Sequence, residues 1–215
     1  MNRFSFDWSF GSFTPEPRRL PTQLYMLKMQ MEKISDSNYL CERLVLASAA
    51  SLSHLRLDPD DATPESYMRM FTSVAGSLAT LDCRMPGGRW SDLGGGLRVL
   101  AALRELVISV EAFVEQAMIL SLAAMTTRTR LRCLTLGQEE WPDAFRVEKP
   151  LGDRRGYGSL LVQLVKAVRT ERVRIRKEDW EEYHDRATKH SAAAVRDLAQ
   201  FEQELERRDM LLELI

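Results

Sequence analysis

Very little in these 215 residues announces chemistry. Cysteine is scarce: Cys41, Cys83 and Cys133 are odd in number, far apart and form no CxxC pair. That spacing excludes a disulfide framework and a structural zinc site, and points to reduced thiols in a reducing compartment. There is no Asn-x-Ser/Thr sequon, and Met1 to Pro17 shows no basic stretch followed by an apolar core of the kind that directs secretion. An intracellular location, cytoplasmic or nuclear, is therefore expected.

Catalytic signatures are missing too. No HExxH, GxSxG, GxxxxGK[ST] or HxE…PCxxC occurs. Of the three histidines, only His184 follows a Glu by three residues (Glu181), whereas a di-iron helical bundle needs two such motifs and two further carboxylates. Glu111 and Glu115 are conceivable extra ligands, but half a site is no site, and no metal, cofactor or catalytic residue is assigned. Cys133 sits in a basic stretch that could lower its pKa, yet no histidine partner is identifiable. The glycines Gly87-Gly88 and Gly94-Gly95-Gly96 flank a loop, without the spacing of a phosphate cradle. The longest apolar stretch, Leu106 to Met125, matches a bilayer span in length but contains Glu111, Glu115 and Gln116. Each mid-span acid costs roughly 2.5–3.5 kcal/mol on insertion, so a buried core helix is the better reading and no membrane span is expected.

What is present is ordinary globular composition, 45% hydrophobic and 28% charged, with an uneven charge distribution. Residues 1–127 carry 12 basic and 14 acidic side chains, residues 128–177 carry 13 and 6, and residues 178–215 carry 5 and 11, giving −2, +7 and −6. The basic and acidic segments either neutralise one another or present a basic face to an anionic partner.

The chain reads as all-α: a helical bundle or irregular helical array of five to seven helices behind an extended aromatic N-terminal leader. Residues 1–21 form that leader. Phe4, Phe6, Trp8 and Phe10 alternate with other residues, Phe13 follows, and Pro15, Pro17 and Pro21 forbid a regular helix. Residues 22–215 read as one helical domain, with a possible subdivision near 137–157, where Pro142, Pro150, Gly152 and Gly156 cluster. Helices are expected over 22–34, 39–57, 63–81, 97–125, 159–176 and 178–212. The clearest start is Thr63-Pro64-Glu65, a cap residue followed by proline and an acid in the first turn. No internal repeat is apparent, and strand signals are nearly absent after residue 13.

Placed on a helix, Lys166, Arg169, Arg172, Arg174, Arg176 and Lys177 occupy the arc opposite Leu160, Leu161, Leu164, Val168 and Ile175. That face suits phosphate contact, and Arg128, Arg130 and Arg132 extend it. Aromatic interleaving is poor, with Tyr157, Trp180 and Tyr183 at its flanks. The methionines Met26, Met29, Met31, Met68 and Met70 read as core filling or an adaptable surface.

With no catalytic constellation, the sequence favours a non-enzymatic helical protein–protein interaction or regulatory factor that self-associates. Phe4, Phe6, Trp8, Phe10 and Phe13 are the partner-binding candidates. An apolar seam of Ala192, Val195, Leu198, Ala199, Leu205 and Leu212 would serve helix pairing in a homo-oligomer. The alternative is a nucleoprotein-like RNA- or DNA-binding protein that uses the nine cations named above in segment 128–177.

Overall fold

A computed structural model describes residues 3–6, 24–30, 37–58, 63–85, 96–110, 116–126, 129, 131–136, 157–190 and 192–215. The order of elements overturns the all-α expectation. The strands are β1 (Arg3–Phe6), β2 (Met26–Gln30), β3 (His54–Asp58), β4 (Thr80–Met85), β5 (Glu105–Val110), β6 (Leu131–Leu136), β7 (Thr170–Ile175) and β8 (Leu211–Leu214). The helices are α1 (Ser37–Ala47), α2 (Pro64–Ser73), α3 (Gln116–Thr126), α4 (Tyr157–Ala167), α5 (Lys177–His190) and α6 (Ala192–Arg207).

The eight strands make one sheet in which spatial order equals chain order, and every neighbouring pair is parallel. Such a sheet needs a crossover between each strand and the next. Because parallel crossovers are right-handed, a sequence of them advancing in one direction puts every helix on the same face. The helices accordingly touch one another in series: α1 meets α2, α3 meets α4, and α6 packs against α4, α5 and β8. Between α2 and α3 the helix layer is continued by a turn whose Leu97, Leu100 and Leu103 are buried.

Register explains why the strands form. Leu27, Leu55, Leu81, Leu106, Leu134, Val173 and Leu212 are direct cross-strand partners in one row. One pleat on, Leu57, Cys83, Ile108, Leu136, Ile175 and Leu214 form a second row. From β3 to β7 these residues are at most 3% exposed, and they share one core with Val45, Tyr67, Phe71, Leu122, Leu164 and Phe201 of the helices. Each strand from β3 to β7 therefore needs only two apolar residues, two apart, to join a core that the helices cover. Full burial of one such side chain is worth roughly 1.5–3 kcal/mol.

The chain is thus a repeat, contrary to the sequence reading. The first-row positions lie 28, 26, 25, 28, 39 and 39 residues apart. That is the geometry of a solenoid, in which each strand-plus-helix unit buries its apolar face only against its neighbours. The last interval is long because β7 and β8 are joined through two helices, α5 and α6.

The same hydrogen bonds recur at each turn. The N–H groups of Ser53 and His54 both donate to Tyr25 O, those of Ala79 and Thr80 to Ser53 O, those of Arg104 and Glu105 to Ala79 O, and those of Arg132 and Cys133 to Arg104 O. Hydroxyls add a further link between turns: Ser51 donates to Leu24 O at 2.9 Å, Ser77 to Ala49 O at 2.6 Å and Thr129 to Leu100 O at 3.1 Å. These bonds satisfy backbone carbonyls that the turns would otherwise bury unpaired.

The helix ends obey local rules. Thr63 caps α2, its Oγ1 accepting from Ser66 N–H at 3.2 Å, with Pro64 at the first position and Glu65 in the first turn. The expected continuation to Leu81 stops at Ser73, because Leu81 and Cys83 belong to the row in β4. For the same reason the 97–125 helix is replaced by β5 and α3, and the 178–212 rod by α5, α6 and β8. The seam proposed for helix pairing is dismantled: Leu198 and Leu205 are buried in the core, and Leu212 is on a strand.

Close packing at one turn yields a test. A Cβ on Gly96 would lie 2.6 Å from Cδ2 of Phe71, a fully buried ring, whereas one on Gly76 would meet nothing within 4 Å. Gly96→Ala should cost about 1–3 kcal/mol by overpacking, and Gly76→Ala should be near neutral. Urea titrations of both variants check this, and equal effects would contradict the packing described.

Candidate functional site: the open face of the sheet

The core rows account for one face of the sheet. The alternate residues point the other way, and among the described residues no element covers them. One row comprises His54, Thr80, Glu105, Cys133, Arg172 and Leu211; the adjacent row comprises Arg56, Asp82, Val107, Thr135, Arg174 and Glu213. In contrast to the aliphatic rows, this face is mostly polar and charged.

Its charges are arranged in pairs at two places. Arg56 Nε lies 3.4 Å from the Asp82 carboxylate, its register partner. At the far end, Arg174 Nε donates to Glu213 Oε2 at 2.6 Å, and Arg172 reaches Glu213 Oε1 at 2.9 Å. The Arg174 hydrogen bond, followed by the charges of Arg172 and Arg174, holds the Glu213 carboxyl below the ordinary carboxylate range. Between these clusters lie smaller side chains, Val107, Cys133 and Thr135, next to Glu105, which is exposed and in no salt bridge among the described residues. Cys133 and Thr135 face outward yet are buried, because each is flanked by longer neighbours: Glu105 and Arg172 for Cys133, Arg174 for Thr135.

The thiols show no nucleophilic activation. Burial raises the Cys133 pKa against the lowering effects of Thr135, 3.8 Å away, and Arg174. The basic surroundings do not prevail there, contrary to the sequence suggestion. Burial likewise pushes the Cys41 thiol up to about 12 and raises that of Cys83, with the adjacent Glu42 and Asp82 adding to it. All three thiols are free and buried. His54 stacks at 4.9 Å on Tyr25 and its Nδ1 lies 2.8 Å from the Ser53 hydroxyl, a contact between adjacent residues that anchors the ring at the start of β3. Among the described residues no group of three His, Cys, Asp or Glu could share a metal ion. Glu111 and Glu115 lie outside the described residues.

The predicted basic helix face divides differently. Lys166 is on α4, Arg169 precedes β7, Arg172 and Arg174 are on β7, Arg176 follows it, and Lys177 begins α5. The alternation of Arg172 and Arg174 with Val173 and Ile175 is the period of a strand. Five of the six cations lie within 4.0 Å of carboxylates: Lys166 with Glu204, Arg172 and Arg174 with Glu213, Arg176 with Glu178, and Lys177 with Glu181. Arg169 and Arg132 are exposed and in no salt bridge among the described residues; Arg128 and Arg130 fall outside them. Among the described residues, the basic and acidic segments thus meet within the fold at these five cations.

Of the leader candidates, Phe4 and Phe6 lie on β1, which pairs with β2. The 22–34 segment read as a helix supplies that strand. Trp8, Phe10 and Phe13 lie outside the described residues. Met70 is in the core, while Met68 is exposed. Among the described residues no helix is long and apolar enough to cross a membrane.

No protein-family model, curated protein or solved structure matches this chain. The open face itself was not legible beforehand, because finding it requires knowing that the strands exist. The signal that could have revealed it was the recurrence of an apolar-x-apolar pair at intervals of 25 to 28 residues from Leu27 to Leu134, the range of strand-and-helix solenoids.

The carboxylate pairs contribute to the acid response. Glu213 and Glu42 have folded-state pKa values below their ordinary ones, Glu42 chiefly through its hydrogen bond with Arg69. Their contribution is present above the ordinary glutamate value of about 4.3 and disappears as pH falls through the lowered folded values. Glu213→Gln should therefore be less stable than the parent at neutral pH and lose less stability on acidification below about pH 4. Denaturant titrations across that range check it, and parallel pH profiles would contradict it.

Proposed function

We propose that this chain is a non-enzymatic protein–protein interaction scaffold whose recognition surface is the open face of its parallel sheet. The observation that carries the reading is the register: outward side chains from β3 to β8 stand in two continuous rows on a backbone fixed from the opposite side. Extended solenoid surfaces of this kind suit protein recognition, because side chains on the exposed face can vary without disturbing the core. The paired charges at both ends and the small residues between them fit a partner that inserts an apolar side chain near Val107 and offers a cation to Glu105. Charges at the rim of such a contact govern association rate and partner choice more than affinity.

Nucleic-acid binding is the weaker alternative. It requires free cations, and most of those in 128–177 that can be described already carry carboxylate partners.

The test uses a partner recovered by cross-linking in cell extract and then purified. Glu105→Arg and Val107→Arg, both on the open face, should weaken its binding at least tenfold. Leu120→Arg on the helix side, where Leu120 is 60% exposed, should leave binding unchanged. Loss of binding only in the Leu120 variant would overturn the assignment. A steep salt dependence of binding to short RNA or DNA, reduced by Arg132→Ala and Arg169→Ala, would favour the alternative.

A further inference from the structure

The charges of the open face do not balance locally. Between β3 and β4 the pairing is one to one, Arg56 with Asp82. Between β7 and β8, Arg172 and Arg174 share the single carboxylate of Glu213, at 2.9 and 2.6 Å. Among the described residues neither arginine has a second carboxylate partner. The two stand on the same side of β7, two residues or about 7 Å apart along the strand. Their side chains are 42% and 34% exposed, against 27% for Glu213, so the surplus cationic surface is the accessible part.

A guanidinium fork matches a carboxylate bidentately, and two forks carry more N–H donors than one carboxylate can accept. The neighbouring strand offers these arginines no anion, because Cys133 and Thr135 stand beside them. The next acid in the row of Arg172 is Glu105, two strands or about 10 Å away. A single acidic side chain therefore meets two arginines alone. A run of closely spaced phosphates crossing the same face also meets Glu105 and Asp82, and like-charge juxtaposition of that kind rejects a partner.

We propose that Arg172 and Arg174 form an acid-receiving site, where an Asp or Glu side chain of a protein partner docks, and that Glu213 fills it as an internal stand-in until then. The inference rests on the open face being the recognition surface, and adds the chemistry of what that surface recognises. Bidentate engagement of both forks by the partner releases Glu213, so Glu213 competes with the partner. Neutralising it strengthens binding, which is the opposite of what loss of a merely structural ion pair does.

The probe is a phage-displayed library of random linear peptides selected on the immobilised 215-residue chain, followed by fluorescence anisotropy of the selected peptides made synthetically. The selected peptides should share an Asp or Glu whose replacement by Asn or Gln weakens binding about tenfold. Arg172→Ala and Arg174→Ala should weaken the acidic peptide by a similar factor and the amide version little further, the coupling expected of a direct contact. Glu213→Gln should bind the acidic peptide severalfold more tightly and the amide version unchanged, with circular dichroism reporting the fold of each variant. A selection that yields no peptide overturns the proposal. So do peptides whose acid can be neutralised without effect, and a Glu213→Gln chain that binds them more weakly. With peptides in hand, Val107→Arg separates the two readings: if it abolishes their binding, the open face stands and only the acid-receiving site falls, whereas indifference to it removes both. A short single-stranded RNA that binds more tightly than the acidic peptide, and is lost in the same arginine variants, assigns the pair to phosphate and also overturns the proposal.

Discussion

The aliphatic ladder across the sheet is the constraint from which the other features follow. Each strand contributes two inward side chains at fixed register, and the chain must return to that register after every helix. Strand length, turn chemistry and the one-sided placement of the helices are consequences. So are the repeated double donation to one carbonyl at each strand start and the hydroxyl links from Ser51, Ser77 and Thr129. No single turn could bury these residues alone; the core exists because the turns are stacked.

The ladder also decides where function can reside. Since the helix side is committed to packing, the opposite face is free to carry polar groups, and it carries Arg56, Asp82, Glu105, Arg172, Arg174 and Glu213. Ion pairs between neighbouring strands hold several of these side chains in place, at little net gain in stability for groups this exposed. Their value is geometric: charge is presented at fixed positions along a rigid surface.

Local chemistry was legible in the sequence, and long-range pairing was not. Thr63-Pro64-Glu65 marks the start of α2 because a cap depends only on adjacent residues. The alternation of Phe4 and Phe6 corresponds to β1. Strands such as β3 and β7 were absorbed into neighbouring helices because each shows only two apolar positions, Leu55 and Leu57 or Val173 and Ile175, and a helix-length window accommodates two such positions easily. Their partners lie 25 or more residues away, so only the recurrence of the pair along the chain distinguishes them. The charged residues follow the same logic. Arg172 and Arg174 were read as part of a helix face, whereas they share one side of strand β7, and the carboxylate that binds them, Glu213, lies 39 residues beyond Arg174.

The most direct test of this architecture is nuclear Overhauser spectroscopy on isotopically labelled protein, following backbone contacts of Leu81, Leu106, Leu134 and Val173. The parallel ladder predicts inter-strand contacts that link these residues in that order, with no helical i,i+3 contacts across 105–108 or 131–136. Continuous helical contacts from 97 to 125, or from 159 to 176, would contradict it.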